Sequence, residues 1–375
     1  MKQASNFNSL VNWHDFRECA KNTLSDSAWA YFEGAAADEI SKNNNIKAWQ
    51  DLSLHTRVLQ KFSQFSTQTE LLGQTIEWPL MVAPMAHQKW AHQDGELAMA
   101  LAASALDVGM TLSIQSSCSM QAVAKVYQPH KKGGLLWIQL YWTQLNQVLE
   151  WIEEAKNCGY QAVVLTVDSA VQGRRDEQIR HGFKLPKHAQ SVHWPSKCHP
   201  TGHNSSQASL LELLKQAPTW SDIEQLIQLS SLPIFLKGIS HAQDAQKAMS
   251  LDIAGIIVSN HGGRNLDTVA DSVQLIRSIA PKVQAYRYKN KNGNQKYVLL
   301  DGGIRRGTDV VKALALGADA VLIGRPCIYG LASAGSQGVA QVLKNIQTEI
   351  IIAMSLLACS TIQAINSSVL NESHP

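Results

Sequence analysis

The chain has no C-x-x-C pair. Its 6 cysteines are scattered, the pattern of reduced, mostly structural thiols in a cytoplasmic protein. Long apolar runs are also missing. The longest near the C-terminus, Ile350-Ile-Ile-Ala-Met-Ser-Leu-Leu-Ala358, falls far short of the ~20 residues that span a bilayer. Met1-Lys-Gln-Ala-Ser-Asn-Phe-Asn lacks the apolar core of a signal peptide. Asn371-Glu-Ser-His-Pro375 carries neither a peroxisomal nor a retention address. A chain without a transmembrane segment is therefore expected. There is no Lys/Arg run, and net charge is only +3 with 13 histidines left neutral, which argues against a nucleic-acid partner. No G-x-G-x-x-G turn follows the first predicted strand, which speaks against a doubly wound dinucleotide fold.

What is present is a rhythm. From Leu80 onward, apolar runs occur at Leu80–Ala83, Met110–Ile114, Leu135–Leu140, Ala162–Val167, Pro233–Leu236, Ala254–Val258, Tyr297–Leu300 and Ala320–Ile323. Most are separated by helix-like segments such as Glu96–Ala103 and Leu145–Ile152. Buried strands alternating with helices predict an α/β fold, a (β/α)₈ TIM barrel over about 79–365. An N-terminal helical and hairpin segment, 1–78, precedes it, and the 375 residues read as one domain. Residues 6–43 are expected to be helical, with Asp26-Ser27 capping a helix through Trp29–Phe32. Residues 47–78 alternate weakly and predict short strands or a hairpin. Two stretches break the rhythm. Lys187–Ser209 reads as a long lid-type loop after strand four. Tyr286–Lys296, with its Asn292-Gly293 pair, reads as an exposed hairpin tip.

In such a barrel the chemistry stands where strands end. The stretch Ala254–Asp267 is the most informative. Its buried run Ile256-Ile257-Val258 turns abruptly into Ser259, Asn260, His261, two glycines and Arg264. A histidine exchanges protons near neutral pH, and an arginine grips a carboxylate with parallel hydrogen bonds. Together they predict a small acidic substrate that loses a proton. Other strand ends bring Ala86 and His87, Ser113 and Gln115, Gln139 and Tyr141, Thr166 and Asp168 with Arg175, and Lys237. Asp301-Gly302-Gly303-Ile-Arg305 and Gly324-Arg325 follow strands seven and eight, where such barrels often hold a phosphate on glycine N–H groups and a helix N-terminus. Tight turns needing positive φ are the plainer alternative.

With these motifs on the page, the sequence resembles the FMN-dependent α-hydroxy acid oxidase and dehydrogenase family from about Trp13 to Ile365. That family includes glycolate oxidase, lactate oxidase and flavocytochrome b2. The resemblance is carried by Ser259–Asp267, Asp301–Asp309 and Leu316–Pro326, with Gln139-Leu-Tyr141 and Leu165-Thr-Val-Asp168 before them. It implies FMN as cofactor and a homotetramer. It implies His261 as the base, Asp168 as its charge partner, and Tyr141 on the substrate hydroxyl. Arg175, Arg264 and Tyr31 would bind the substrate carboxylate. Ala86, Ser113, Gln139 and Thr166 would contact the flavin ring, with Lys237 near its pyrimidine edge and Ser259 beside it. Asp301, Gly302, Gly303, Arg305, Gly324 and Arg325 would hold the ribityl chain and phosphate.

The expected reaction is oxidation of a small (S)-2-hydroxy acid, lactate or glycolate in type, to the keto acid. Oxygen is expected as acceptor, with a quinone as the alternative. Alanine at the position of Ala86 occurs in glycolate and lactate oxidases, though flavocytochrome b2 shares it. A flavin-dependent isomerase or a non-catalytic FMN-binding barrel would not need His261 and Arg264 together with Arg175 and Tyr141. The chain departs from the family pattern at Gln115, where an aromatic is frequent, and at His87, which either faces the substrate or packs or meets solvent, with packing or solvent the expectation. His193, His199 and His203 resemble a metal tract, but their spacing fits no standard zinc pattern and no metal is expected.

Overall fold

The computed structural model describes residues 9–127, 134–194, 207–290 and 295–371. Eight parallel strands close on themselves. They are β1 Leu80–Val82, β2 Gly109–Ser113, β3 Leu136–Tyr141, β4 Val163–Thr166, β5 Ile234–Ile239, β6 Gly255–Val258, β7 Tyr297–Leu300 and β8 Ala320–Ile323. β8 pairs with β1 through Val321↔Leu80 and Ile323↔Val82, which completes the barrel. All eight runs read from the sequence fall on these strands. The physical reason is burial on both faces: every residue of β1, β2, β4 and β6 to β8 is buried. A parallel strand with helices outside and side chains inside has no wet face, so its sequence does not alternate. The helices Gly95–Ala105 and Leu145–Asn157 enclose the two helical stretches expected.

One end of the barrel is filled with apolar side chains. Trp137 of β3 and Phe235 of β5 stack at 4.6 Å, in a cluster with Met81, Val164, Ile257, Tyr297 and Leu299. The hairpin Thr69–Leu71 and Gln74–Ile76 adds Leu71 and Ile76 to that cluster. The polar chemistry is thereby confined to the other end, at the strands' C-termini.

The N-terminal segment differs from expectation in detail. It forms three helices, α1 Trp13–Thr23, α2 Asp26–Glu33 and α3 Ile40–Asp51. The cap of α2 is Ser25, whose hydroxyl accepts the Ala28 N–H at 3.3 Å. Asp26 is instead the first helical residue, where its charge suits the helix dipole. Residues 47–51, expected as strand, continue α3, because Asn45 and Trp49 lie one turn apart and both bury. Ser53–Leu54 pairs with Leu370–Asn371 and not with a sequence neighbour. Tyr286–Lys289, expected in a hairpin tip, ends the helix Ser272–Lys289. Arg287 anchors that turn by donating to the Lys296 carbonyl at 2.7 Å and pairing with Asp319. Asn292-Gly293 lies outside the described residues, as do residues 195–206 of the long loop. That loop's described flanks are a short turn at Lys187–Ala189 and a helix at Gln207–Lys215.

The N-terminal helices are tied to the barrel's polar end. The start of α3 has no side-chain cap of its own. Asp267, from the loop after β6, supplies one: its carboxylate accepts the Ser41 N–H at 2.7 Å and the Ile40 N–H at 3.2 Å. Asp267 is only 8% exposed, and a cap of this kind typically contributes about 1 to 2 kcal/mol. Asp267→Ala is expected to lower unfolding stability by about that amount, with Asp267→Asn recovering part of it. Urea denaturation followed by circular dichroism reads the difference, and equal midpoints for parent and Asp267→Ala would remove the cap from the account.

Candidate active site

The strand C-termini open into one cavity of about 1190 Å³. Of the residues given catalytic, substrate-binding or cofactor-binding roles from the sequence, all but Asp168 and Ser259 line it. Those two stand directly behind lining side chains, Asp168 against His261 and Ser259 against Lys237.

His261 follows β6 with φ at +57°, a left-handed conformation uncommon outside glycine. Its own N–H donates to the Ser259 hydroxyl at 2.9 Å. Its Nδ1 lies 2.9 Å and 3.2 Å from the two Asp168 carboxylate oxygens. Asp168 stands at the end of β4, and Gly238 of β5 makes room for it. A Cβ built on Gly238 would lie 2.4 Å from the Asp168 Cβ, and its φ is +102°. Burial pushes the Asp168 carboxyl up, but His261, Lys237 and the Ser169 hydroxyl outweigh that and hold it below its ordinary value. Burial pulls the His261 imidazole down, Lys237 and Arg175 add to the effect, and Asp168 only partly opposes it. The result is an ionised carboxylate beside a neutral imidazole. The carboxylate accepts from Nδ1–H, so the lone pair of the neutral ring sits on Nε2.

Two arginines stand beside this pair. Arg264 donates through Nη1 to the carbonyls of Tyr31 and Gly34, at 2.8 and 2.7 Å. Its guanidinium lies 5.3 Å from the centroid of the Tyr31 ring. Arg175 donates from Nε to the Arg264 carbonyl at 3.2 Å. Burial, and then the neighbouring Arg175, pull Arg264 well below its ordinary value, and burial lowers Arg175 too. Two desolvated guanidinium groups side by side favour an incoming carboxylate. Burial, with Asp168 and Tyr31, pushes the Tyr141 hydroxyl up, so it keeps its proton and serves as a donor.

The remaining strand ends form a second polar region. Lys237 is buried, 3.0 Å from Asp301 Oδ2 and 3.1 Å from the Ser259 hydroxyl. Burial works against its charge, but Asp301 and Asp168 more than restore it. Asp301 Oδ1 is buried without a partner among the described residues, as is Arg305 Nε. Gly303, at φ +79°, passes so close to α3 that a Cβ would lie 2.2 Å from the Asn45 carbonyl oxygen. Arg325 donates to the carbonyls of Phe32, Gly34 and Gly262. Along the wall, Gln139 donates to the Thr166 hydroxyl at 3.0 Å, and the Ser113 hydroxyl accepts the Gln115 N–H at 3.1 Å. Ala86, Gly302 and Gly324 also line the cavity.

His87 is buried, lines the cavity, and has its Nδ1 2.9 Å from the Ala189 carbonyl oxygen. It therefore packs against the Ala189 carbonyl and at the same time faces the cavity. Gln115 lines the cavity as well. His193 Nε2 accepts the Met120 N–H at 3.0 Å, whereas His199 and His203 lie outside the described residues.

Sequence reasoning missed three supports. Asn45 and Asn260 exchange two side-chain hydrogen bonds at 2.9 Å, and Asn45 Oδ1 also accepts the Ser272 N–H. Glu96 is fully buried and accepts from the N–H groups of Gln88 and Ser117 and from the Ser117 hydroxyl. Trp90 and Phe183 pack on the ring of the already expected Tyr31, with ring centroids 5.5 to 5.6 Å apart, and Phe183 joins Tyr31 in the cavity wall. Asn260 sits inside the Ser259–Asp267 motif, and its side chain was the one available signal; the partner Asn45 lies 215 residues away.

Comparison with known proteins bears directly on this site. The profile of the family described as FMN-dependent dehydrogenase matches residues 20–372. The chain is 40% identical to L-lactate oxidase of Nostoc sp., over 97% of this chain and 98% of that protein. It is 34% identical to 2-hydroxyacid oxidase 1 of Homo sapiens, over 97% of each. A solved structure of mandelate oxidase with (S)-4-hydroxymandelic acid superposes with a TM-score of 0.84 and 34% identity, covering 96% of this chain and 98% of the other. Among the described residues, no helix is long and apolar enough to cross a membrane.

The Gly238 contact makes the His261–Asp168 pair testable. A methyl group there displaces Asp168 and removes the influence that raises the His261 pKa. Gly238→Ala is expected to shift the imidazole's protonation to still lower pH, read from its ring resonances by NMR. An unmoved titration would show that Asp168 does not govern the ring.

Proposed function

Because the chain belongs to the FMN-dependent dehydrogenase family, we propose that it oxidises a small (S)-2-hydroxy acid of the lactate or glycolate type to the 2-keto acid. In this reading His261 is the base, and molecular oxygen is the terminal acceptor, leaving as hydrogen peroxide. The protein is an oxidoreductase that uses FMN. The observation that carries the finer reading is the convergence of a neutral His261, an ionised Asp168 and the Arg175–Arg264 pair on one cavity.

The residues at the strand ends fit the cofactor. Asp301 Oδ1 is a buried acceptor in need of donors such as ribityl hydroxyls, and Arg305 Nε is a buried donor in need of an acceptor such as a phosphate oxygen. Gly302 and Gly303, both at positive φ, expose backbone in a turn that a side chain on Gly303 would obstruct. Asp301, Gly302, Gly303, Arg305, Gly324 and Arg325 would hold the ribityl phosphate. Lys237, Ser259, Ala86, Ser113, Gln139 and Thr166 would meet the ring. Bound there, FMN supplies the two-electron acceptor that no side chain provides.

The protein's own groups would do the rest. Arg175 and Arg264 would fix the substrate carboxylate, with Tyr31 beside it, and so orient the C2 substituents. Tyr141, which keeps its proton, would donate to the substrate hydroxyl oxygen. His261 Nε2 would take the proton that leaves as the hydroxyl becomes a carbonyl. The new imidazolium would be stabilised by the Asp168 carboxylate already held against Nδ1. The polar side chain of Gln115 on the wall sets the room left for the third substituent of C2.

His261→Gln is expected to keep FMN and substrate binding but to lower turnover of order 10²-fold or more. A base works only when deprotonated, so kcat/KM of the parent should rise as pH rises through the His261 pKa. That pKa is lowered from 6.5, which puts the acid limb below the usual histidine range. Turnover of the variant within a few-fold of the parent, or an acid limb above that range, would remove His261 from the role.

The acceptor is tested by reducing the enzyme with L-lactate under nitrogen and then admitting air. Rapid return of the flavin absorbance with about one peroxide per flavin is expected. Absorbance that stays low in air but returns at once with a quinone would establish a dehydrogenase.

A further inference from the structure

We propose that Trp13, the first residue of α1, is a positioning residue of the cofactor site: its indole face holds Arg305 with guanidinium donors directed to the FMN phosphate. The inference rests on the reading of Arg305 as a phosphate ligand. Arg305 follows β7 and is 6% exposed. Its guanidinium carbon lies 5.6 Å from the centroid of the Trp13 ring, within the range of a cation–π contact. Two carboxylates act on it, Glu33 and Asp309, but Glu33 is engaged by Arg17, Lys42 and the Tyr329 hydroxyl, and Asp309 Oδ2 accepts the backbone N–H groups of Arg305 and Arg306 at 2.9 and 3.0 Å. The buried cation therefore leans on an aromatic face, which attracts charge without consuming N–H donors. Nη1 donates to the Ile304 carbonyl at 3.0 Å, and Nε is left without a partner among the described residues. Arg325 contrasts with this. All three of its guanidinium nitrogens donate to carbonyls of Phe32, Gly34 or Gly262. Of the two arginines, Arg305 is the one already prepared for an anion.

Trp13 is itself held in place. Asn12 and Asp15 close a capping box around the start of α1, and the His14 ring stacks on the indole at 3.6 Å. A small cavity of about 300 Å³, lined by Trp13, His14 and Gln50 among others, also touches Arg305. Arg305 thus borders two spaces, the main cavity and this one. With the indole removed, the guanidinium gains room to turn away from the phosphate cradle.

The test compares FMN with riboflavin, which has the same ring and ribityl chain but no phosphate. Each is titrated into the full-length chain stripped of flavin, with quenching of flavin fluorescence as the signal. Trp13→Ala is expected to weaken FMN about tenfold and leave riboflavin unchanged, with Trp13→Phe restoring most of the loss. Equal weakening of both ligands, in Trp13→Ala and in the milder Trp13→Phe, would show a merely structural role and overturn the proposal. Unchanged FMN affinity in Trp13→Ala would overturn it as well. The underlying reading is tested apart from this by Arg305→Gln: if that variant binds FMN as tightly as the parent, Arg305 is no phosphate ligand, and the role given to Trp13 falls with it.

Discussion

Positive charge buried at one end of the barrel is the constraint on which the rest of the site depends. Lys237, Arg175 and Arg305 are all less than 9% exposed, and Arg264 beside them is half-buried. Asp168 and Asp301 stand among the first three, each already shared with His261 or Lys237, and Asp309 beside Arg305 is taken up by backbone N–H groups. An uncompensated buried charge costs several kcal/mol, and the protein limits that cost with carbonyl oxygens and aromatic faces. The carbonyls of Tyr31 and Gly34 serve Arg264, and the rings of Tyr31 and Trp13 serve Arg264 and Arg305. Such partners attract a cation less than a carboxylate does and are not themselves anions. They leave the end of the barrel electropositive, which under the proposed function would suit a substrate carboxylate at Arg175 and Arg264 and a phosphate at Arg305.

This arrangement explains why the N-terminal helices belong to the site though they lie outside the barrel. α2 ends in the segment whose carbonyls receive Arg264 and Arg325. α3 meets the loop after β6 through Asp267, and meets Gly302 through the Trp49 indole N–H at 2.9 Å. The Asn45–Asn260 pair joins the same two pieces. The loop carrying His261 is therefore braced from outside the barrel, which is how a histidine with positive φ is kept in one conformation.

The barrel was legible in the sequence because its strands are buried on both faces, and continuous apolar runs such as Ile256-Ile257-Val258 have no competing explanation at that length. The site was legible for a related reason. Each run ends abruptly in polar residues, and the change of character marks the strand's C-terminus. The N-terminal segment was harder. α3 carries its buried face on Ser41, Lys42, Asn45 and Trp49, three of them polar, so no apolar stripe marks it as a helix. Its contacts come from residues more than 200 positions away, such as Asp267 and Gly302. Periodicity reports a residue's burial only when the residue is apolar, and here it is mostly polar residues that are buried.

Glycine shows the same limit from the other side. Gly238 and Gly303 both have positive φ. Their larger consequence is what they let approach. At Gly238 the missing side chain is the space into which Asp168 fits, and at Gly303 it is the space taken by the Asn45 carbonyl. In each case the glycine belongs to one strand end and the group it admits belongs to another element. The distance between Asp168 and His261 is thus set jointly by three strands: β4 carries the carboxylate, β6 leads to the imidazole, and β5 between them yields the room. A closed barrel fixes the order of those neighbours, and that order brings three residues scattered over nearly a hundred positions into a single contact, with the Asp168 carboxylate held against the His261 ring.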